Sequence, residues 1–429
     1  MIVPTAALSA LALAIALIVP LYAWRARGRG YATFGLVTLA IAFPAALILH
    51  ARLRATLPAS AGPALDALWA WGLVATAVHL ASLVRARLRG RAFRWLASLP
   101  ASAFLAMGAL ALVWLAALLP IRAALWLGGQ EGALAWLRWL DLVPLVVAGL
   151  SLATSLRPVE EVVRIPMALA ARAAHAPEQL TRLAVERHRR RSPAPLATRP
   201  LRVVQVTDPH LGPFQPVHRL RAHLERLLAR EPDLLLLTGD FLTMEGGGTP
   251  GALARALEPL RPFEGRSFAV FGNHDHEAPE EVRAALAESR VRLLDDEEAV
   301  VETPVGTVQI LGADHVFRGS RERLAELFAR HPRRDDALRL LLLHDPGRFR
   351  HVPAGEVDLT FSGHTHGGQL GLLSLGFGWT VLARSRWPDH GLFARGTSRL
   401  YVHRGTGHYG FPLRIGVPGE ASLLELLVD

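Results

Sequence analysis

The chain contains no cysteine and no lysine. The first absence excludes disulfides and thiolate metal sites, and it leaves the redox compartment open. The second means that the net charge of +10 comes from arginine alone. A GxSxG elbow and a phosphate-loop lysine are also missing, so no serine-nucleophile or P-loop chemistry is indicated. What abounds is apolar sequence. Of 429 residues, 51% are hydrophobic, and most of the long runs lie before residue 157. The length predicts two or three domains. Arginines clustered beside apolar runs point to membrane topology rather than to nucleic acid.

Four apolar stretches, Val3 to Trp24, Thr33 to His50, Leu65 to Val84 and Leu96 to Leu119, approach or reach the roughly 20 residues a spanning helix needs. A fifth, Leu142 to Leu156, is shorter, and Arg138 and Asp141 flank its start. Arg25, Arg27 and Arg29 follow the first run, and Arg85, Arg87, Arg89, Arg91 and Arg94 follow the third. The loop after the second carries only Arg52 and Arg54. Positive loops stay cytoplasmic, which places the N-terminus outside. Five spans then put everything after Leu156 in the cytoplasm, whereas four would put it outside. Arg157, Arg164 and Arg172 after the fifth stretch favour five. The first run lacks a charged start and reads as an anchor rather than a cleaved signal. No intramembrane carboxylate pair suggests a transport pathway, and His79 reads as a helix-packing group.

The expected organisation is therefore a multi-span membrane domain over 1–156, a basic juxtamembrane helix and linker over 157–200, and a third region over 201–429. Val162 to Arg191 reads mostly as helix, interrupted near Pro166 and Pro177. Arg187 to Arg191 ends it, and Ser192 to Pro195 breaks the pattern. This stretch either lies on anionic lipid headgroups or is a solvated connector. No aromatic residues interleave with its arginines, and no nucleic-acid partner is expected.

From Leu201 onward, short apolar runs each end in polar residues. Residues 201–206 are followed by Asp208 and His210. Residues 234–237 lead to Gly239 and Asp240. Residues 267–271 lead to Gly272, Asn273, His274 and Asp275. Residues 338–343 lead to His344, and residues 357–361 to Gly363, His364 and His366. Continuous apolar runs predict strands buried on both faces. Val217 to Arg230 and Pro279 to Ser289 read as helices between them. Ligand-type residues at strand ends converge on one crevice in α/β sheets. Carboxylate, imidazole and amide without sulfur suit Mn2+, Fe2+ or Zn2+. The glycines before Asp240, Asn273 and His364 allow tight turns and close backbone approach.

As a set, Asp-x-His, Gly-Asp, Gly-Asn-His-Asp, His and Gly-His-Thr-His resemble the calcineurin-like metallophosphoesterase superfamily. The resemblance runs from about Leu201 to the C-terminus. The extended Gly-His-Thr-His-Gly-Gly-Gln at 363–369 is similar to the membrane-associated bacterial branch, as are residues 401–407 and 412–415. That branch includes UDP-2,3-diacylglucosamine pyrophosphatase-like enzymes and phosphodiesterases. Pro209 departs from the family, which usually has a larger aliphatic residue there. The resemblance implies an α-helical membrane domain followed by an α/β metallophosphoesterase domain, a four-layer α/β/β/α sandwich. It implies two divalent metal ions. Asp208, His210 and His366 would hold one; Asn273, His344 and His364 the other; Asp240 would bridge them. His274 would act as general acid or phosphate stabiliser, with Asp275 orienting it. The expected activity is phosphoester hydrolysis by a hydroxide bridging two metals, at a bacterial inner membrane with the catalytic domain cytoplasmic.

The membrane half suggests an amphiphilic phosphoester, such as a UDP-diacylglucosamine, with the lipid bilayer as partner. Soluble nucleotides or general diesters are the alternative. A membrane sensor or scaffold carrying a non-catalytic metal-binding domain is a second, which the intact ligand set disfavours. Gly371 to Thr380, directly after the His364–His366 turn, is either an apolar rim of the crevice or core packing. His276 and His315 either approach the crevice or take supporting roles. Arg404 binds either substrate phosphate or a structural carboxylate.

Overall fold

The computed structural model describes residues 3–167, 179–189, 196–410 and 412–428. The chain divides into two compact units, Met1–Ala153 with Gly410–Ile415, and Thr154–Tyr409 with Gly416–Asp429.

Among the described residues, five helices are long and apolar enough to cross a membrane: Thr5–Arg27, Arg29–Thr56, Ala59–Arg85, Arg91–Leu127 and Glu131–Leu156. Small residues bring them close. A Cβ on Gly108 would lie 2.5 Å from the carbonyl oxygen of Ala42, so only glycine permits this approach of the fourth helix to the second. Trp69 is fully buried and donates from Nε1 to the Ala46 carbonyl at 2.8 Å. The fifth helix is longer than the apolar run Leu142 to Leu156. Its extension contains Asp141, whose carboxylate is fully buried against Arg52 at 2.8 Å and against Arg122. Pairing removes the cost that an isolated charge would impose there. Asp66 is likewise paired, with His50 at 2.9 Å and Arg54 at 3.2 Å.

The second unit begins with a correction. Among the described residues, the stretch from Val162 expected as helix is strand instead. Val159–Pro166 is a strand, β1, followed by β2 (Thr181–Leu183) and β3 (Glu186–His188). The β-branched Val163 and Ile165 are completely buried, and Arg164 pairs with Glu425 at 3.0 Å. Burial of Glu161 through Ile165 on both faces, and pairing with β14 and β3, favour strand over helix here. The α/β fold thus recruits residues well before 201, and 157–200 is not simply a linker. Arg172, Pro177 and Arg190 to Pro195 lie outside the described residues.

The remaining strands are β4 (Leu201–Val206), β5 (Leu234–Leu237), β6 (Ser267–Ala269), β7 (Arg292–Leu293), β8 (Glu297–Thr303), β9 (Gly306–Ala313), β10 (Leu338–Leu343), β11 (Leu359–Ser362), β12 (Gly391–Arg395), β13 (Ser398–Val402) and β14 (Glu420–Leu427). They form two seven-stranded sheets, ordered β3-β1-β14-β4-β5-β6-β7 and β2-β12-β13-β11-β10-β9-β8. Strand β1 runs parallel to β14, with Val163 opposite Leu424. The core lies between the sheets, with Val203, Leu234 and Phe268 from one and Ile310, Leu340 and Leu359 from the other. Strand β10 shows why continuous apolar runs are needed. Leu338, Leu340 and Leu342 enter this core, while Leu341 and Leu343 turn outward beneath Leu324, Leu327 and Phe328 of the helix Ser320–Arg330. The helices Val217–Leu228 and Pro279–Glu288, both expected from their patterns, are present. The result is the four-layer α/β/β/α sandwich, following an α-helical membrane domain.

Candidate metal centre

Strands β4, β5 and β6 are mutually parallel, as are β10 and β11. Their C-terminal turns carry the expected site residues. Two groups form. Asp208, His210 and His366 present ligand atoms within 4.8 Å of one another, and so do Asp240, His344 and His364; each group could hold a metal ion. His210 and His366 face each other, Nε2 to Nε2, at 3.2 Å. Asp240 Oδ2 lies 3.3 Å from His344 Nε2 and 3.7 Å from His210 Nε2, so one carboxylate looks into both groups. The side-chain oxygen of Asn273 is buried without a hydrogen-bond partner, as expected of a donor kept for a cation. His344 Nδ1 lies 2.6 Å from the Thr238 carbonyl, which fixes its proton there and leaves Nε2 available.

The backbone is bent to achieve this. Asp208, His210, Asp240, His364 and His366 all have φ between 42° and 67°, an uncommon region for residues with side chains. Two glycines make the approach possible. A Cβ on Gly363 would sit 2.1 Å from Asp208 Oδ2, and one on Gly272 would sit 2.2 Å from Asp240 Oδ1. Asp208 in turn accepts from Thr207 Oγ1 at 2.7 Å and from the His364 amide at 3.0 Å.

Residues 201–368 match the family model described as calcineurin-like phosphoesterase. The chain carries a calcineurin-like metallophosphoesterase domain. Among curated relatives, it is 28% identical over 233 residues to phosphodiesterase YaeI of Escherichia coli, covering 53% of this chain and 83% of that protein. It is 28% identical over 232 residues to an uncharacterized metallophosphoesterase of Helicobacter pylori, covering 53% of this chain and 60% of that one. A transmembrane protein with metallophosphoesterase domain from Danio rerio is 29% identical over 244 residues, 53% of each chain. Five helices long and apolar enough to cross a membrane thus accompany a domain of the metal-dependent phosphoesterase class, an arrangement similar to that of the transmembrane relative.

The electrostatics of the metallophosphoesterase site are those of a cluster assembled around positive charge. Burial alone would raise the Asp208 carboxyl, but His366, His344 and His210 hold it well below the usual carboxylate range. Burial disfavours the His344 imidazolium, yet Asp240 outweighs it and raises His344 to about 10. His210 goes the other way: burial pushes it down to about 3 despite Asp240. Asp208 and Asp240 are thus held as carboxylates and His210 as a neutral imidazole, the forms that bind metal, whereas Asp240 favours a protonated His344, which would give up its Nε2 proton to a bound cation.

Asp275 is the correction within the site. Its carboxylate does not reach the His274 ring. It accepts instead from the amides of Asp240 and Gly272, each at 2.7 Å, and of Phe241 at 2.8 Å. A fully buried carboxylate beside a tight turn satisfies backbone donors that nothing else can reach. The group that orients His274 is Glu277, whose Oε1 lies 2.8 Å from Nδ1. Spacing of three residues was the available signal for that pair. His315 lies beside the second group, its ring 6.1 Å from His344 and 6.5 Å from His364. Burial and His344 push it down to about 4. His276 stands one step further out, 3.3 Å from Asp314.

Tyr409 is a site residue that no sequence signal marked. Its ring stacks on His210 at 5.2 Å and meets His274 edge-on at 4.8 Å. The chain reaches it by packing residues 405–408 on the Asp208 turn, where the Gly407 amide donates to the Asp208 carbonyl at 3.0 Å. Arg404, a candidate phosphate ligand, is instead buried against Glu161 and Glu420.

Proposed function

We propose that the protein is a membrane-anchored, two-metal phosphoester hydrolase. Asp208, His210 and His366 would hold one divalent ion, and Asn273, His344 and His364 the other, with Asp240 shared between them. The observation that carries this reading is the Asp240 carboxylate, 3.3 Å from His344 and 3.7 Å from His210. Nitrogen and oxygen donors without sulfur suit Mn2+, Fe2+ or Zn2+. Two such ions would supply an activated water at neutral pH and offset charge on the phosphoryl group.

The chain's own residues do the remainder. Asp240 Oδ1 accepts from the His274 amide at 2.9 Å, so the carboxylate cannot swing away from its shared position. Glu277 pins Nδ1 of His274 and leaves Nε2 to pass a proton to the leaving oxygen. His274 is 29% exposed, open enough to meet a substrate. Tyr409 closes one flank over His210 and keeps that ring in place.

Membrane anchoring and the apolar sequence directly after His366 support a membrane-borne substrate, a lipid-linked pyrophosphate or diester such as a UDP-diacylglucosamine. The arginine distribution after the first and third spans supports a cytoplasmic site in a bacterial inner membrane. A reporter fused after Asp429 tests the topology, and activity on the outer side overturns it. The test of function uses detergent-purified full-length protein with Mn2+, beside Asp240→Asn. Substrates are bis-p-nitrophenyl phosphate and a UDP-linked acyl sugar. Metal-dependent turnover lost in the variant supports the hydrolase, and preference for the acyl sugar supports the lipid-linked substrate. Preference for the simple diester supports a general phosphodiesterase. Two bound ions without turnover support a sensor or scaffold.

A further inference from the structure

Residues 371–387, GLLSLGFGWTVLARSRW, follow the His364–His366 turn and contain no acidic side chain. Leu375 is 71% exposed, Phe377 62% and Trp379 49%, and Leu372, Val381 and Trp387 are exposed with them. Within one short segment this is a clustered apolar surface, of the kind that marks a contact site on a folded protein.

The exposure is built into an ordered loop. The Leu372 amide donates to the Trp379 carbonyl at 2.9 Å, and the Val381 amide to the Leu370 carbonyl at 3.0 Å. Gly371 bridges Thr380, and Leu370 bridges Gly416. Thr380 is buried and donates from Oγ1 to Asp389 at 2.6 Å. Leu373 turns inward as the apolar anchor. These bonds fix the base of the loop and leave Leu375 and Phe377 projecting.

The same segment is tied to the metal turns. A Cβ on Gly368 would meet Val381 at 2.9 Å, and one on Gly347, just past His344, would meet Trp387 at 2.7 Å. Thr365, between the two histidines, donates to the Asp389 carbonyl at 2.7 Å. What binds the loop is therefore held next to the phosphoesterase centre.

Charge identifies the occupant. Arg384 and Arg386 are exposed, and neither forms an ion pair among the described residues. The Arg386 guanidinium lies 4.5 Å from the Trp387 ring centroid. Tryptophan, phenylalanine and leucine beside arginine, without acid, is the composition that partitions into the headgroup layer of anionic membranes. The chain itself carries five helices long and apolar enough to cross a membrane, so a bilayer is within reach. We propose that residues 371–387 are an interfacial loop that seats Leu375, Phe377 and Trp379 in an anionic bilayer surface and presents the metal centre to lipid-borne phosphoesters. The seating stands apart from the hydrolase reading, because its test needs no turnover.

The absence of cysteine makes that test direct. Full-length Phe377→Cys and, separately, Leu375→Cys carry a nitroxide label in nanodiscs of phosphatidylcholine with or without phosphatidylglycerol. Glu288→Cys, on an exposed helix end of the same unit, is the control. Spin relaxation by oxygen and by a water-soluble nickel chelate is measured. The expected result is strong relaxation by oxygen and weak relaxation by the chelate at 375 and 377, enhanced several-fold by phosphatidylglycerol, with the control open to the chelate throughout. Labels at 375 and 377 open to the chelate in both nanodiscs overturn the proposal. So do labels shielded from both reagents, which would mean that protein, from this chain or a second copy, covers the loop.

Discussion

The guanidinium of Arg404 is buried against the carboxylate of Glu161, 243 residues earlier in the chain. Glu161 lies on β1 and Arg404 just beyond β13, so the pair joins the first strand after the membrane helices to the segment that supports the Asp208 turn. Glu420, completely buried, completes the cluster and accepts from the Arg404 amide at 3.2 Å.

A fragment beginning at residue 201 therefore lacks three strands, β1, β2 and β3. It exposes the β14 edge and leaves Arg404 without Glu161. Loss of one member of a buried ion pair costs about 3–5 kcal/mol. A fragment of residues 157–429 is expected to stay soluble with a cooperative melt, and one of residues 201–429 to aggregate or melt without cooperativity. Thermal circular dichroism and gel filtration of the two fragments decide it.

Asp275→Ala should damage stability more than chemistry. The substitution strands the buried amides of Asp240, Phe241 and Gly272, at about 1–3 kcal/mol for each unsatisfied donor. We expect a loss of roughly 3 kcal/mol or more in denaturant unfolding, with metal loss as a consequence. Glu277→Gln should leave stability nearly unchanged and lower kcat about tenfold, since it weakens only the hold on His274. Equal effects of the two variants on stability would contradict this division.

The two groups could be read largely from sequence because each ligand follows an apolar run whose C-terminal end is local information. Strand β1 could not be read that way. Its partner β14 is more than 250 residues distant, and Val162 to Arg191 offers a helix-like pattern until that pairing is known. The Asp141 extension of the fifth span was hidden for the same reason, because Arg52 and Arg122 neutralise it from other helices. Asp275 was misassigned because adjacency to His274 in sequence is not adjacency of side chains across a tight turn. Tyr409 sits outside every ligand motif, and only folding brings it over His210.

The two close-approach glycines offer separate handles on the metal groups. Gly363→Ala drives a methyl into Asp208, and Gly272→Ala drives one into Asp240. Overpacking of this kind costs about 1–3 kcal/mol. Gly363→Ala should lower occupancy mainly in the Asp208 group and retain close to one ion per chain. Gly272→Ala, which displaces the shared carboxylate, should retain fewer. Metal analysis by mass spectrometry after dialysis gives both values.

The Tyr409 ring contacts two site histidines. It stacks on His210 and meets His274 edge-on, and an aromatic pair contributes about 0.5–1.5 kcal/mol. Tyr409→Phe should stay within about twofold of the parent, and Tyr409→Ala should lose up to about tenfold in kcat/KM. A large loss in the phenylalanine variant would instead assign the hydroxyl a contact with substrate.

In the membrane unit, Asp141 is the carboxylate on which two arginines depend. It is completely buried, with Arg52 at 2.8 Å and Arg122 on its other oxygen. Asp141→Ala leaves two guanidinium groups without their counter-charge in a low-dielectric setting, at about 3–5 kcal/mol. Asp141→Asn keeps the hydrogen-bond acceptor but not the charge and should cost less. Thermal unfolding of the full chain in detergent is expected to rank them parent, asparagine, alanine in falling order. The triple variant Arg52→Leu, Arg122→Leu, Asp141→Leu should recover much of the loss, because it removes the buried charges together rather than leaving two unmatched. Failure of the triple variant to recover would mean that these charges specify the helix arrangement, and not merely neutralise one another.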